Sequence, residues 1–279
     1  MLVNLNDVLI PARRGKYAVG LFNTVNLELA RGVMEAAGEL DSPVIIGTAE
    51  VLLPYGPIED LANLLIPMAE RASVPVVVHL DHGLKEETCR QALDLGFSSI
   101  MYDCSTMEYE ANIEHVKRMA ETAHACGASI EAELGHVGDN GGEDPSLFYT
   151  DSAQARDFIE RTGADALAIA VGTAHGAYKL PPKLDFNRIT EIAENIPTPL
   201  VLHGGSGLSD SDFRTAVERG ISKVNIFTDI NQAGARAAGS GYREGIGLTD
   251  MILPEIEAVK RSVMEKMRLF GSAGHGSGR

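Results

Sequence analysis

Eight short apolar runs, rich in β-branched residues and separated by longer stretches of helical periodicity, restrict this chain's folds more than any other feature. The runs are Tyr17 to Phe22, Val44 to Thr48, Val74 to Leu80, Ser98 to Tyr102, Ser129 to Leu134, Ala166 to Val171, Leu200 to Leu202 and Lys223 to Phe227. Helical segments lie between them, among them Leu27 to Glu39, Ile58 to Ala72, Glu86 to Leu95, Glu108 to Ala125, Ser152 to Thr162 and Asp210 to Glu218. Gly96, Gly127, Gly163 and Gly220 stand where left-handed helix ends are expected, and Ser209 with Asp212 three residues on reads as an N-terminal cap. Strand then helix, repeated, makes the strands parallel, and strands that are nearly continuously apolar are covered on both faces. Eight such units in 279 residues predict an α/β chain closed into a (β/α)8 barrel, the TIM-barrel architecture, rather than an open doubly wound sheet. No linker divides it, so one domain is expected over residues 1–270. The Gly-rich stretch Gly239 to Asp250 precedes an added C-terminal helix, Met251 to Phe270, and residues 271–279 read as a flexible tail.

Charge and cysteine content narrow the function classes. Lys+Arg 24 against Asp+Glu 39 gives a net charge of −15 with no basic cluster, which excludes a nucleic-acid or anionic-membrane surface. A phosphate ligand would have to be attracted locally. Cys89, Cys104 and Cys126 are odd in number and lack Cys-x-x-Cys spacing, which points to neither a disulfide framework nor a cysteine metal site. With no leader-like start and no apolar run near the roughly 18 residues of a spanning helix, a cytoplasmic protein is expected.

In a barrel the chemistry sits at the C-terminal ends of the strands. Polar residues gather there: His79-Leu80-Asp81-His82 on the third run, Asp103 to Ser105 on the fourth, Glu131 to Glu133 on the fifth, Gly172 to Gly176 on the sixth, His203 to Gly207 on the seventh and Asn225 to Thr228 on the eighth. His82, His175 and His203 leave three different strands at one end, so three imidazoles can meet around zinc with a fourth position open. His79 is a weaker candidate. Alternation puts His79 and Asp81 on one face, so His82 joins the site only where the chain leaves strand geometry. His115, His124 and His275 read as solvated surface, whereas His136 is either loop surface or site lining.

Gly204-Gly205-Ser206-Gly207 ahead of a helix can form a nest of backbone N–H groups for an anion, with Asn225 to Thr228 (Asn225, Ile226, Phe227, Thr228) as its second half. Lys179 could add a point charge. Asp81 is placed as a general acid/base. Asp103 and Glu133 are placed to orient imidazoles or hold a second cation, with ion pairing in the mouth an equally open reading. Gly138 to Pro145 reads as a loop over the mouth, and Glu143 is either a second base or part of a solvated acidic loop.

At these residues the sequence resembles the class II, metal-dependent ketose-bisphosphate aldolases, which include bacterial fructose- and tagatose-bisphosphate aldolases. Five motifs carry the likeness in order: His79 to His82, Glu131 to Gly135, Gly172 to Gly176, His203 to Gly207 and Lys223 to Asn225. The resemblance implies Zn2+ or a similar ion on His82, His175 and His203, with a monovalent cation as a further candidate, and Asp81 exchanging a proton with the substrate C4 hydroxyl. It implies that Gly176, Gly204 to Ser206 and Asn225 to Thr228 bind dihydroxyacetone phosphate, the product of a sugar phosphate, and that the protein is a homodimer or homotetramer. Glu143 would act at C3, with Asp139 or Asp144 as alternatives because the loop spacing departs from the family's. Many bisphosphate-using relatives carry Pro-x-Arg-x-Ala on the last helix. Here the run is Pro254-Glu255-Ile256-Glu257-Ala258. Unless Arg243 replaces that arginine, the expected substrate is a ketose 1-phosphate with a longer, sugar-acid-like or unphosphorylated aldehyde half, rather than a ketose 1,6-bisphosphate. Two rival readings are a barrel metal hydrolase, whose His-x-His on the first strand is absent, and a non-catalytic sugar-phosphate sensor, which would have no need to keep Asp81.

Overall fold

Each apolar run becomes a parallel strand, and the strands close on themselves in chain order: β1 (Val19–Asn23), β2 (Val44–Ala49), β3 (Val76–Gly83), β4 (Ser99–Tyr102), β5 (Ser129–Leu134), β6 (Ala166–Ile169), β7 (Leu200–Leu202) and β8 (Ile221–Ile226). The last pairs back onto the first. The structure, a computed structural model, describes residues 1–137, 149–174 and 182–276. Helices α1 (Leu5–Gly15), α2 (Leu27–Glu39), α3 (Ile58–Arg71), α4 (Glu86–Asp94), α5 (Tyr109–Ala125), α6 (Ser152–Thr162), α7 (Phe186–Asn195), α8 (Asp210–Arg219), α9 (Thr228–Gly241) and α10 (Thr249–Phe270) complete it. This is the (β/α)8 barrel with its C-terminal helix that the sequence predicts. No helix among the described residues is long and apolar enough to cross a membrane.

Strand alternation divides the apolar residues into two cores. Outward-facing Phe22, Ile46, Val78, Ile100 and Leu167 pack under the helices. Inward-facing Val19, Leu21, Ile45, Val77, Ala166, Ala168 and Val201 meet Leu5, Val8, Leu9 and Ala12 of α1, which closes the lower end. A reciprocal cap fixes that helix, with Asn4 bonded to the first turn and Asp7 bonded back to the Asn4 N–H. The barrel interior is so tight beside β3 that a Cβ on Gly47 would lie 1.9 Å from the His79 carbonyl oxygen. Gly47→Ala is therefore expected to destabilise the protein by about 3 kcal/mol, read as a lower urea midpoint at unchanged slope.

Several segments differ from expectation, α1 among them. The sequence did not single out α9, which starts directly at the end of β8 and so places a helix N-terminus at the barrel mouth. Residues 271–276, expected to be a flexible tail, are docked. Ser272 is fully buried and bonds Ser42 at 2.8 Å, while the Gly274 and Gly276 N–H groups reach the carbonyls of Leu40 and Asp41. His275, expected to be solvated, stacks its exposed ring on Tyr17 at 4.0 Å. Small side chains read as flexible in composition, yet here they let one backbone lie against another: a Cβ on Gly276 would meet Val74 at 2.7 Å.

Candidate active site

His82 reaches the mouth by breaking its strand. Alternation carries His79 and Asp81 inward and would send His82 out, but His82 adopts φ 42°, the left-handed region, and the β3–β4 pairing shifts register between Leu80 and Gly83. A non-glycine residue held there stores about 1–3 kcal/mol of strain, a cost that surrounding structure sustains most often at functional sites. The turned ring donates its Nδ1–H to Asp103 Oδ2 at 2.9 Å. Asp103 is itself steadied by the Ser105 N–H at 3.1 Å.

His203, at the exit of β7, is fully buried and bonds Glu131 Oε1 through Nε2 at 2.8 Å. Its Nδ1 faces His82 Nε2 at 2.7 Å. Each imidazole thus has a carboxylate behind it, the arrangement that fixes a ring's N–H outward and its lone pair inward. Two inward lone pairs at this separation repel unless one positive particle lies between them. The donor set therefore fits a divalent cation on His82 and His203, with an Asp81 oxygen within 4.8 Å of both ring nitrogens. His79 does not join them: it bonds Ser99 at 2.8 Å inside the barrel, and burial pushes its pKa down to about 3.

Asp81, almost fully buried, receives Asn23 Nδ2 on one oxygen at 2.8 Å and Asn225 Nδ2 on the other at 2.9 Å. Burial opposes its charge, but His82, His203 and Lys223 outweigh burial and hold the carboxyl well below the usual range. Glu133 goes the other way. Burial, then Asp103, push its pKa up to about 8. It groups with His82 and Asp103 as a second set of atoms able to hold a cation. His136 lines the mouth and bonds Ser105 at 3.1 Å, which decides its open reading. His115 and His124 stay on α5, beside Arg118 and Asp165 respectively.

The same cavity, about 430 Å³, is lined opposite β3 by Gly204, Gly205, Ser206 and Asn225 to Thr228. Gly204 has φ 65°, and a Cβ there would lie 2.4 Å from the Ala174 carbonyl oxygen, so only glycine fits. The first turn of α9 carries no side-chain cap, which leaves its N–H groups for a ligand. His175, Gly176, Lys179 and Glu143, with Asp139 and Asp144, lie outside the described residues.

Residues 3–275 match the family described as Fructose-bisphosphate aldolase class-II. The chain belongs to that family. Fructose-bisphosphate aldolase of Geobacillus stearothermophilus is 40% identical over 283 residues, 98% of either chain. The Escherichia coli protein YdjI is 40% identical over 261 residues, 92% of this chain and 93% of its own. The crystal structure of the YdjI aldolase superposes with a TM-score of 0.90 at 36% sequence identity, covering 99% of this chain and all of that one. The protein is thus a class II aldolase, a carbon–carbon lyase of a metal-dependent family.

The sequence alone assigns no role to Asn23 at this aldolase's mouth or to Glu131 and Lys223, buried beneath it. For Glu131 and Lys223 the signal was present, a charged side chain at an inward position of an otherwise apolar strand.

The facing imidazoles give a pH signature. In chelated protein His82 carries the proton between the rings. Burial opposes that charge but Asp81 and Asp103 favour it, raising its pKa from 6.5 to about 9. Glu133 keeps its proton from 4.5 to about 8. From pH 6.5 to 8 the folded state therefore binds protons that the unfolded chain has released, and stability falls as pH rises. A declining urea midpoint across that window in chelator, with the slope abolished by metal, is the expected observation.

Proposed function

We propose that this class II aldolase is zinc-dependent and reversibly cleaves a ketose 1-phosphate to dihydroxyacetone phosphate and an uncharged aldehyde. One observation carries the reading: a buried carboxylate, Asp81, anchored by two amides and lying between carboxylate-backed imidazoles and a glycine nest. His82, His203 and, by family resemblance, His175 would hold the ion. When bound, it supplies Lewis-acid stabilisation of the negative charge that develops on the ketose oxygens as the C3–C4 bond breaks.

The rest of the chemistry belongs to the chain. Asp81, kept ionised, accepts the C4 hydroxyl proton during cleavage and returns it during condensation. Asn23 and Asn225 occupy one lone pair on each carboxylate oxygen and so aim the remaining ones. The N–H groups of Gly204 to Ser206 and of the first turn of α9 grip the C1 phosphate, which answers the net charge of −15 with fixed dipoles. Glu143 acts at C3 in this reading, again by resemblance.

The aldehyde half is argued from what surrounds it. Ile256, where many relatives carry arginine, is 3% exposed, and its carbonyl lies 3.1 Å from the Cβ position of Gly32 in α2. Arg243 is exposed and is not among the described residues of the cavity wall. That wall holds no lysine or arginine among the described residues, and its β2–β3 side is Ala49, Val51, Leu52 and Leu84. A distal phosphate or acid would meet no cation there among the described residues, which favours the unphosphorylated, neutral alternative. With dihydroxyacetone phosphate as donor, kcat/KM for glyceraldehyde or lactaldehyde is expected to exceed that for glyceraldehyde 3-phosphate by at least ~10-fold. A preference of that size for the phosphorylated acceptor would contradict the proposal. The same reading carries a cytoplasmic homodimer or homotetramer, each chain one domain over residues 1–270.

A further inference from the structure

Below the mouth lies a charge that the proposed chemistry leaves unused. Lys223, in the middle of β8, is fully buried at a position where an aliphatic side chain ordinarily fills a barrel layer. An ammonium is costly to bury and is kept only where its hydrogen bonds are well satisfied. Its Nζ lies 2.8 Å from Glu131 Oε2 and donates to Asn225 Oδ1 at 2.7 Å. The other end of each partner reaches the site: Glu131 Oε1 meets His203 Nε2 at 2.8 Å, and Asn225 Nδ2 donates to Asp81 Oδ1 at 2.9 Å.

The chemistry of these groups gives the arrangement a direction. An amide can turn over and exchange its oxygen for its nitrogen, but an ammonium only donates, so Asn225 must show it oxygen and must show Asp81 its N–H. Glu131, drawn onto Lys223 by one oxygen, presents the other to His203 and fixes the Nε2–H tautomer. Nδ1 is thereby left as the lone-pair nitrogen that faces His82. An aliphatic residue at 223 would free Asn225 to turn its oxygen toward Asp81, and would leave the Glu131 charge buried without its partner.

We infer that Lys223 is a positioning residue that orients the proton carrier Asp81 through Asn225 and the metal-facing His203 through Glu131. The inference rests on the roles proposed above for Asp81 and His203.

Lys223→Met tests it in a mutant cycle, because a residue acting through another has no further effect once that other is gone. Alone, the variant is expected to lower kcat by ~100-fold with KM for the ketose 1-phosphate within about threefold, and zinc affinity by ~10- to 100-fold. In an Asn225→Ala background it should cost less than about threefold more in kcat, and in a Glu131→Gln background less than about threefold more in zinc affinity. The imidazole 15N spectrum of chelated protein should show His203 as a single Nε2–H tautomer in the wild type and as a mixture in Lys223→Met. Should Lys223→Met not accumulate folded, Lys223→Met/Glu131→Gln removes both charges and is compared with Glu131→Gln for kcat, where a drop of ~10-fold or more is expected. Fully additive losses, an unchanged tautomer, or wild-type kcat in the folded variant would overturn the inference. Failure of wild-type protein to cleave any ketose phosphate would overturn the proposed function instead, while zinc affinity and the tautomer still decide the role of Lys223.

Discussion

Asp81→Ala is expected to lower kcat for retro-aldol cleavage by about 10³- to 10⁴-fold while zinc content and KM stay near wild type. The upper part of the usual range for general acid–base catalysis applies because this carboxylate is buried, ionised and held at both oxygens. Nothing else described at the mouth can replace it: Asp103 is engaged with His82, and Glu133 holds its proton to about pH 8. Asp81→Asn should be nearly as slow, since an amide nitrogen cannot take a proton from the C4 hydroxyl. Steady-state kinetics beside metal analysis of the same samples check this. A loss under tenfold with metal retained would remove Asp81 as the proton carrier.

Removing the metal is the second large effect. The fixed, facing nitrogens of His82 and His203 are preorganised for a cation, so a strong chelator should abolish cleavage and added zinc should restore it. Binding to the folded chain alone also stabilises it. Zinc at a thousandfold excess over its Kd adds about 4 kcal/mol, a rise in Tm of roughly 8 °C for a domain of this size. Calorimetry with and without zinc reads that shift, and His82→Ala should lose most of it. Full turnover in chelated protein, or a Tm indifferent to zinc, would contradict the assignment.

The barrel was legible because its signal is periodic and repeated: each run from Val44 to Thr48 through Lys223 to Phe227 is β-branched, apolar and followed by a helix. Strand-end chemistry was legible because barrel topology gathers distant residues at one rim. His82 shows the boundary of that reading. Period-two alternation excludes it from the site, and only the φ of 42° that turns it inward, a tertiary feature, admits it. The N-terminal helix α1 is harder to read although Leu5, Val8, Leu9 and Ala12 recur at helical spacing, because Pro11 interrupts the pattern and the stripe gains meaning only under an open barrel end. Asn23 looked like the end of a strand, since an asparagine is usual there and its partner Asp81 is 58 residues away. Residues 271–276 misled in the opposite sense, because small residues permit both disorder and close backbone contact.

The most direct test of the account is a coupled assay for dihydroxyacetone phosphate release from ketose 1-phosphates and 1,6-bisphosphates, run as isolated, after chelation, and after zinc is restored. Release that vanishes with chelator, returns with zinc and is faster from the 1-phosphates is the expected result. No release from any substrate by protein with zinc bound would contradict it.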